Sequence, residues 1–136
     1  MTGHRAYQLY CHITWSTWNR VGCINEDHAE LTRRAIEVAA DRNQVHVLAA
    51  AILADHVHLL VSFRPATRLS DFVGTAKGLA ARTANQQVPG AIRWARGFHV
   101  ASLGRKDIDS VRGYLKIQNQ RHPDLIPQPM VPPVNR

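Results

Sequence analysis

Residues 45–63 read VHVLAAAILADHVHLLVSF, the longest apolar stretch of the chain. His46, Asp55, His56 and His58 interrupt it. A membrane span tolerates such polar groups poorly, whereas a pair of buried strands accommodates them. The stretch therefore predicts two antiparallel strands, over 45–53 and 56–63, with Ala54 and Asp55 as a tight connection. An antiparallel hairpin at the centre of the chain restricts the fold to architectures built on such a sheet.

The flanking patterns narrow the choice. Residues 7–18 alternate and carry Tyr10, Ile13, Thr14, Trp15, Thr17 and Trp18, the aromatic and β-branched content of a strand. Asn25 or Asp27 is placed to cap a helix over 27–42, whose Leu31, Ala35, Val38 and Ala39 form one stripe. Pro65 ends the 56–63 strand. Ser70 is the expected cap of a second helix over 71–87, before Pro89 and Gly90. GFHVASL, 97–103, reads as a fourth strand. Asp107 or Asp109 caps a third helix over 109–121, and Pro123 follows it. The order β-α-β-β-α-β, then a helix, predicts an α+β, ferredoxin-like antiparallel sheet with an additional C-terminal helix. Residues 1–121 are expected to form one domain. Residues 122–136 hold five prolines and are expected to be an extended, partly mobile tail.

A chain of 136 residues, 45% apolar, can bury one real core and is not disordered in composition. Its opening, MTGHRAY, has no apolar leader, so no signal peptide and no membrane association are expected. Cys11 and Cys23 are too few for a disulfide framework and read as reduced thiols in the cytoplasm. The net charge is +7. Between Arg64 and Arg121 eleven Lys or Arg face only three acids, Asp71, Asp107 and Asp109. Such an excess attracts phosphate backbones, although a basic surface can also be inert.

Two constellations carry chemistry. His56 and His58 are two apart on a strand, so both project from one face, roughly 7 Å apart along it. Leu60 continues that face, and Val57, Leu59 and Val61 point to the other, into the core. The pair can hold a cation, or can be buried and satisfied by hydrogen bonds. On the last helix Tyr114 and Gln118 are four apart and share a face. Tyr114 can serve as a nucleophile, or as an ordinary amphipathic core tyrosine. Gly113 beside it costs up to about 1 kcal/mol in a helix interior and suggests a close approach or a hinge. Gly74 and Gly78 suggest a close approach of the second helix to the sheet, a partner or DNA.

Taken together, HITWSTWNR (12–20), ADHVHLLVSF (54–63), RWARGFHVASLG (93–104) and YLKIQNQRH (114–122) resemble the single-tyrosine HUH transposases. These are the small insertion-sequence-200-like enzymes and their repeat-associated relatives. The resemblance implies a divalent metal, Mg²⁺ or Mn²⁺, held by His56, His58 and Gln118. It implies Tyr114 as the nucleophile that attacks a phosphate of single-stranded DNA, leaving a 5′-phosphotyrosine link and a free 3′-hydroxyl for strand transfer. It further implies hairpin DNA ends as partner, no nucleotide cofactor, and a prokaryotic cytoplasmic site near the nucleoid. Likeness to the insertion-sequence enzymes implies a homodimer in which the tyrosine helix can serve the partner's histidines, while the repeat-associated relatives can be monomers with that helix in cis. Ile117 stands where the repeat-associated relatives often have Asn, and Arg121-His122 where they have His-His. Asn119 and Gln120 lie on other faces of the helix than Gln118.

Lys77, Arg82, Arg96, Arg105, Arg112 and Lys116 are the candidate phosphate contacts. Trp18 and Trp94 can stack bases, and Trp15 reads as core. Asp55 is either a turn residue or an acceptor that orients His56. His12 and His99 have no assigned role. Two alternatives stand beside strand transfer: a domesticated nucleic-acid-binding module, and a hydrolase using the histidines with water.

Overall fold

In a computed structural model the chain is described over residues 9–118 and 125–129. Four strands form one antiparallel sheet: β1 (Leu9–Ser16), β2 (His46–Ile52), β3 (His56–Phe63) and β4 (His99–Leu103), in the order β2-β3-β1-β4. Helices α1 (Glu26–Asn43) and α2 (Leu69–Gln87) follow β1 and β3, and α3 (Ile108–Lys116) follows β4. This is the expected α+β, ferredoxin-like arrangement with its additional helix.

The alternation of β3 separates the two faces of the sheet. Val57, Leu59 and Val61 join Cys11, Ile13 and Trp15 of β1 against Ile36 and Ala39 of α1 and Phe72, Val73 and Ala76 of α2. Leu60 points the other way, where Leu115 of α3 packs with it and Ala51. The sheet thus has a helix pair on one side and α3 alone on the other. Cys11 lies in the main core, and burial pushes its thiol up to about 11, which makes it inert.

Local chemistry sets the ends of the elements, with small departures from expectation. Asn25 caps α1, its Oδ1 accepting from the His28 amide at 2.8 Å. Gln44 closes that helix in the left-handed region, with φ 55°. α2 starts two residues before the expected boundary, with Arg68 rather than Ser70 at the N-cap and no side-chain cap bond. Asp107 precedes α3, but its carboxylate accepts from the Gly104 amide and does not cap the helix. β4 is shorter than expected because Gly97 sits at φ 80° and turns the chain into it. A Cβ added at Gly74, Gly78 or Gly113 would meet nothing within 4 Å. The close approach of α2 to the sheet expected from Gly74 and Gly78 is therefore not required by packing. The helix expected over 109–121 starts one residue earlier and is interrupted, α3 ending at Lys116 where Ile117 leaves helical geometry at φ −93° and ψ 1°. The expected strand start at Tyr7, and Asn119, Gln120, Arg121, His122 and Pro123, lie outside the described residues.

The described part of the C-terminal segment is tied to the domain. Leu125 O accepts from the Ala54 amide at 2.7 Å, and Gln128 O accepts from the Glu26 amide at 2.6 Å. The first bond braces the β2–β3 turn that leads into His56, and the second holds the start of α1.

Candidate active site

The β2–β3 turn is clamped on several sides, which fixes where β3 begins. Leu53 N donates to His56 O at 2.8 Å, Ile24 N to Ala54 O at 3.0 Å, and Thr17 N to Asp55 O at 2.9 Å. From this mount the buried His56 and His58 project to the α3 side, their ring centroids 4.7 Å apart and their planes at 77°. Each Nδ1 has a partner. His56 Nδ1 lies 2.6 Å from Asp55 Oδ1, and Asp55 Oδ2 lies 3.3 Å from Arg20 Nε. His58 Nδ1 lies 3.0 Å from His12 Nε2, with the two rings stacked at 24°. Burial lowers the pKa of His12 and so favours its neutral form.

Tyr114 reaches the pair from above. Its ring centroid is 6.0 Å from that of His58 and 6.3 Å from that of His12, edge-on to both. One turn further along, Gln118 is only 1% exposed. Its Nε2 lies 3.5 Å from Tyr114 O, while its Oε1 is buried with no hydrogen-bond partner among the described residues. A buried amide oxygen left unpaired costs about 1–3 kcal/mol, which a cation or an incoming donor would relieve. Two imidazoles and one amide oxygen are a donor set that suits a divalent cation. Among the described residues no three His, Cys, Asp or Glu converge as a metal site.

These groups line one cleft of about 300 Å³, with Thr14, Trp15, Ser16, Arg20 and His99 completing its wall. Strand register explains the set: Ser16 stands opposite His56, and Thr14 opposite both His58 and His99. His12, Arg20 and His99 are site residues that sequence reasoning left without a role. The period-2 spacing of His12, Thr14 and Ser16 was visible. The pairing of β1 with β3, which gives that spacing meaning, was not.

The candidate phosphate contacts are dispersed. Lys77 belongs to α2, across the sheet, and its ammonium donates to Ala95 O at 2.8 Å and Gly97 O at 2.9 Å. Arg82 is exposed on the same helix. Arg96 is exposed before β4, and Arg105 in the turn before α3. Arg112 and Lys116 share α3 with Tyr114, but two residues either way is about 160° round a helix, so they occupy its opposite flank. Trp15 is core, packed edge-on against Trp94, whose Nε1 donates to Lys77 O. Trp18 is exposed.

A sheet that presents a histidine pair beneath a docked tyrosine helix places the candidate site on one face of the domain. The chain belongs to the IS200-like transposases, a family of DNA-transposition enzymes, whose model matches residues 5–120. It is similar to the ISDra2 transposase TnpA of Deinococcus radiodurans, at 25% identity over 85% of this chain and 87% of that one. The transposase of insertion sequence IS200 from Salmonella typhimurium is 30% identical over 85% of this chain and 80% of its own length. Among solved structures, a Deinococcus radiodurans protein described as a transposase shares the fold with a TM-score of 0.66 at 24% identity, covering 87% of this chain and 98% of that one. A REP-associated tyrosine transposase bound to a REP hairpin shares it with a TM-score of 0.71 at 18% identity, over 90% of this chain and 74% of that one. No helix of the described residues is long and apolar enough to cross a membrane.

Proposed function

We propose that the chain cuts and rejoins single-stranded DNA through a covalent tyrosine link. His56, His58 and Gln118 would hold a divalent cation, Mg²⁺ or Mn²⁺, which when bound polarises a non-bridging oxygen of the scissile phosphate. The Tyr114 hydroxyl attacks phosphorus, the bond to the 3′ oxygen breaks, and the phenolic proton ends on that oxygen. The products are a 5′-phosphotyrosine ester and a 3′-hydroxyl. A 3′-hydroxyl of another strand attacks the ester in reverse, forms a phosphodiester and releases Tyr114. The ester conserves the bond, so the reaction needs no nucleotide cofactor. The observation that carries this reading is the placement of the Tyr114 ring 6.0 Å from His58, in a cleft also lined by Gln118, whose Oε1 has no hydrogen-bond partner among the described residues.

The substrate we propose is a single strand ending in a hairpin, as in the relative bound to a REP hairpin. Arg96, Arg105, Arg112 and Lys116 offer exposed or half-exposed charge for its phosphates. Lys77 and Arg82 are proposed contacts only for DNA that reaches the α2 side. A homodimer is also proposed, joined along β4, an edge strand exposed over most of its length.

The test uses the purified chain, Mg²⁺ and a single-stranded oligonucleotide carrying the imperfect palindrome next to its own coding region, run on a denaturing gel. We expect a protein–DNA adduct that disappears with chelator and in Tyr114→Phe. Cleavage that survives Tyr114→Phe points to water as nucleophile. Tight binding with no adduct under any condition points to a binding module without strand transfer.

A further inference from the structure

Trp18 opens the single 3-10 turn Trp18–Arg20 after β1, and its large apolar ring is 43% exposed. The Arg93 guanidinium lies over that ring, 4.2 Å from its centroid. The backbone holds the two together: Trp18 N donates to Arg93 O at 2.8 Å, Thr17 bridges Trp94, and Ala95 N donates to Ser16 O at 2.9 Å. Beyond Trp18 the chain takes two consecutive left-handed residues that are not glycine, Asn19 at φ 53° and Arg20 at φ 55°. Such conformations each cost of order 1–3 kcal/mol and persist where the surroundings impose them. They carry the chain from the exposed indole to Arg20, which lines the cleft with Tyr114 and meets Asp55. Arg93 and Arg96 make no ion pair among the described residues.

We infer that Trp18 and Arg93 form a stacking platform for an unpaired nucleobase of the DNA strand whose phosphate enters the cleft. The ligand class follows from the chemistry. An exposed indole layered with a planar cation recognises flat π systems, every base has such a face, and the charge over the ring is positive. An apolar protein partner would find a guanidinium group over the ring. The inference rests on the strand-transfer reading for the path of the strand, but its ligand contact is independent of Tyr114.

The experiment measures binding of fluorescein-labelled dT20 and of an abasic strand of equal length, by anisotropy, in a Tyr114→Phe background that forms no adduct. Trp18→Ala should weaken dT20 binding by about 5- to 100-fold and leave the abasic strand unchanged, because the lost contact is to a base. Trp18→Phe should restore most of the affinity, and Arg93→Lys should lose part of it despite keeping the charge. Unchanged dT20 binding in Trp18→Ala overturns the platform, as does an equal loss for both strands. Wild-type indifference to dT20 overturns it too, whereas a Tyr114-dependent adduct on hairpin DNA would still uphold strand transfer.

Discussion

Each imidazole of the pair has its Nδ1 committed to a different partner, His56 to Asp55 and His58 to His12. A neutral imidazole that donates from Nδ1 keeps its lone pair on Nε2, the atom a cation needs. Asp55 can only accept when ionised, which favours that tautomer at His56; at His58 a neutral His12 that accepts at Nε2 does the same, whereas one that donates there reverses it. His12→Phe should therefore lower Mn²⁺ affinity of the metal-free protein by about 10- to 100-fold in calorimetry, the usual cost of losing such a partner. The ¹⁵N shifts of His58 should report a changed tautomer in the same variant, and unaltered affinity together with unaltered shifts would show His12 to be packing alone. His56 and His58 were legible as a same-face pair, and Tyr114 and Gln118 as a helical one, because each pair obeys a local period. His12 was not, since its partner lies 46 residues away and only the β1–β3 register brings them together.

At the level of elements, α3 is what brings the nucleophile candidate to the sheet. It is held by a small apolar cluster, Leu115 against Leu60 and Ala51, with Ile108, Val111, Leu48, Ala49 and Leu103 around it. Leu115→Ala should cost about 2–5 kcal/mol in denaturant unfolding, and it should depress adduct formation by loosening Tyr114. Gly113→Ala should do the opposite to stability. With nothing within 4 Å of the added methyl, the helix gains up to about 1 kcal/mol. If DNA binding survives that change, the glycine is not there to admit a strand; a loss confined to DNA binding would mark its closest approach. The strands and helices themselves were readable from alternation and stripes. Their ends were less so, because Arg68 starts α2 without the capping chemistry that Ser70 advertised, and Asp107 spends its carboxylate on Gly104.

Across the whole molecule, the basic excess does not form one patch. Lys77 is engaged by backbone carbonyls on the far side of the sheet, while Arg20, outside the candidate phosphate contacts, lines the cleft, and Arg93, also outside them, lies over Trp18. Composition announces a phosphate partner but cannot say which charges face it; only the folded topology does. A single chain brings its own Tyr114 to its own His58, so a dimer is not required to complete the cleft. Light scattering at micromolar concentration should nevertheless show twice the chain mass if β4 edges pair, and the chain mass alone if they do not. The central claim is the identity and polarity of the covalent link. Trypsin releases residues 113–116 as one peptide, GYLK, carrying Tyr114. After reaction with hairpin DNA and nuclease trimming, mass spectrometry should find a nucleotide 5′-phosphate on that peptide, and a label at the 3′ end of the strand should travel with the protein. Nucleotide on any other peptide, or retention of the 5′-end label instead, would contradict the account.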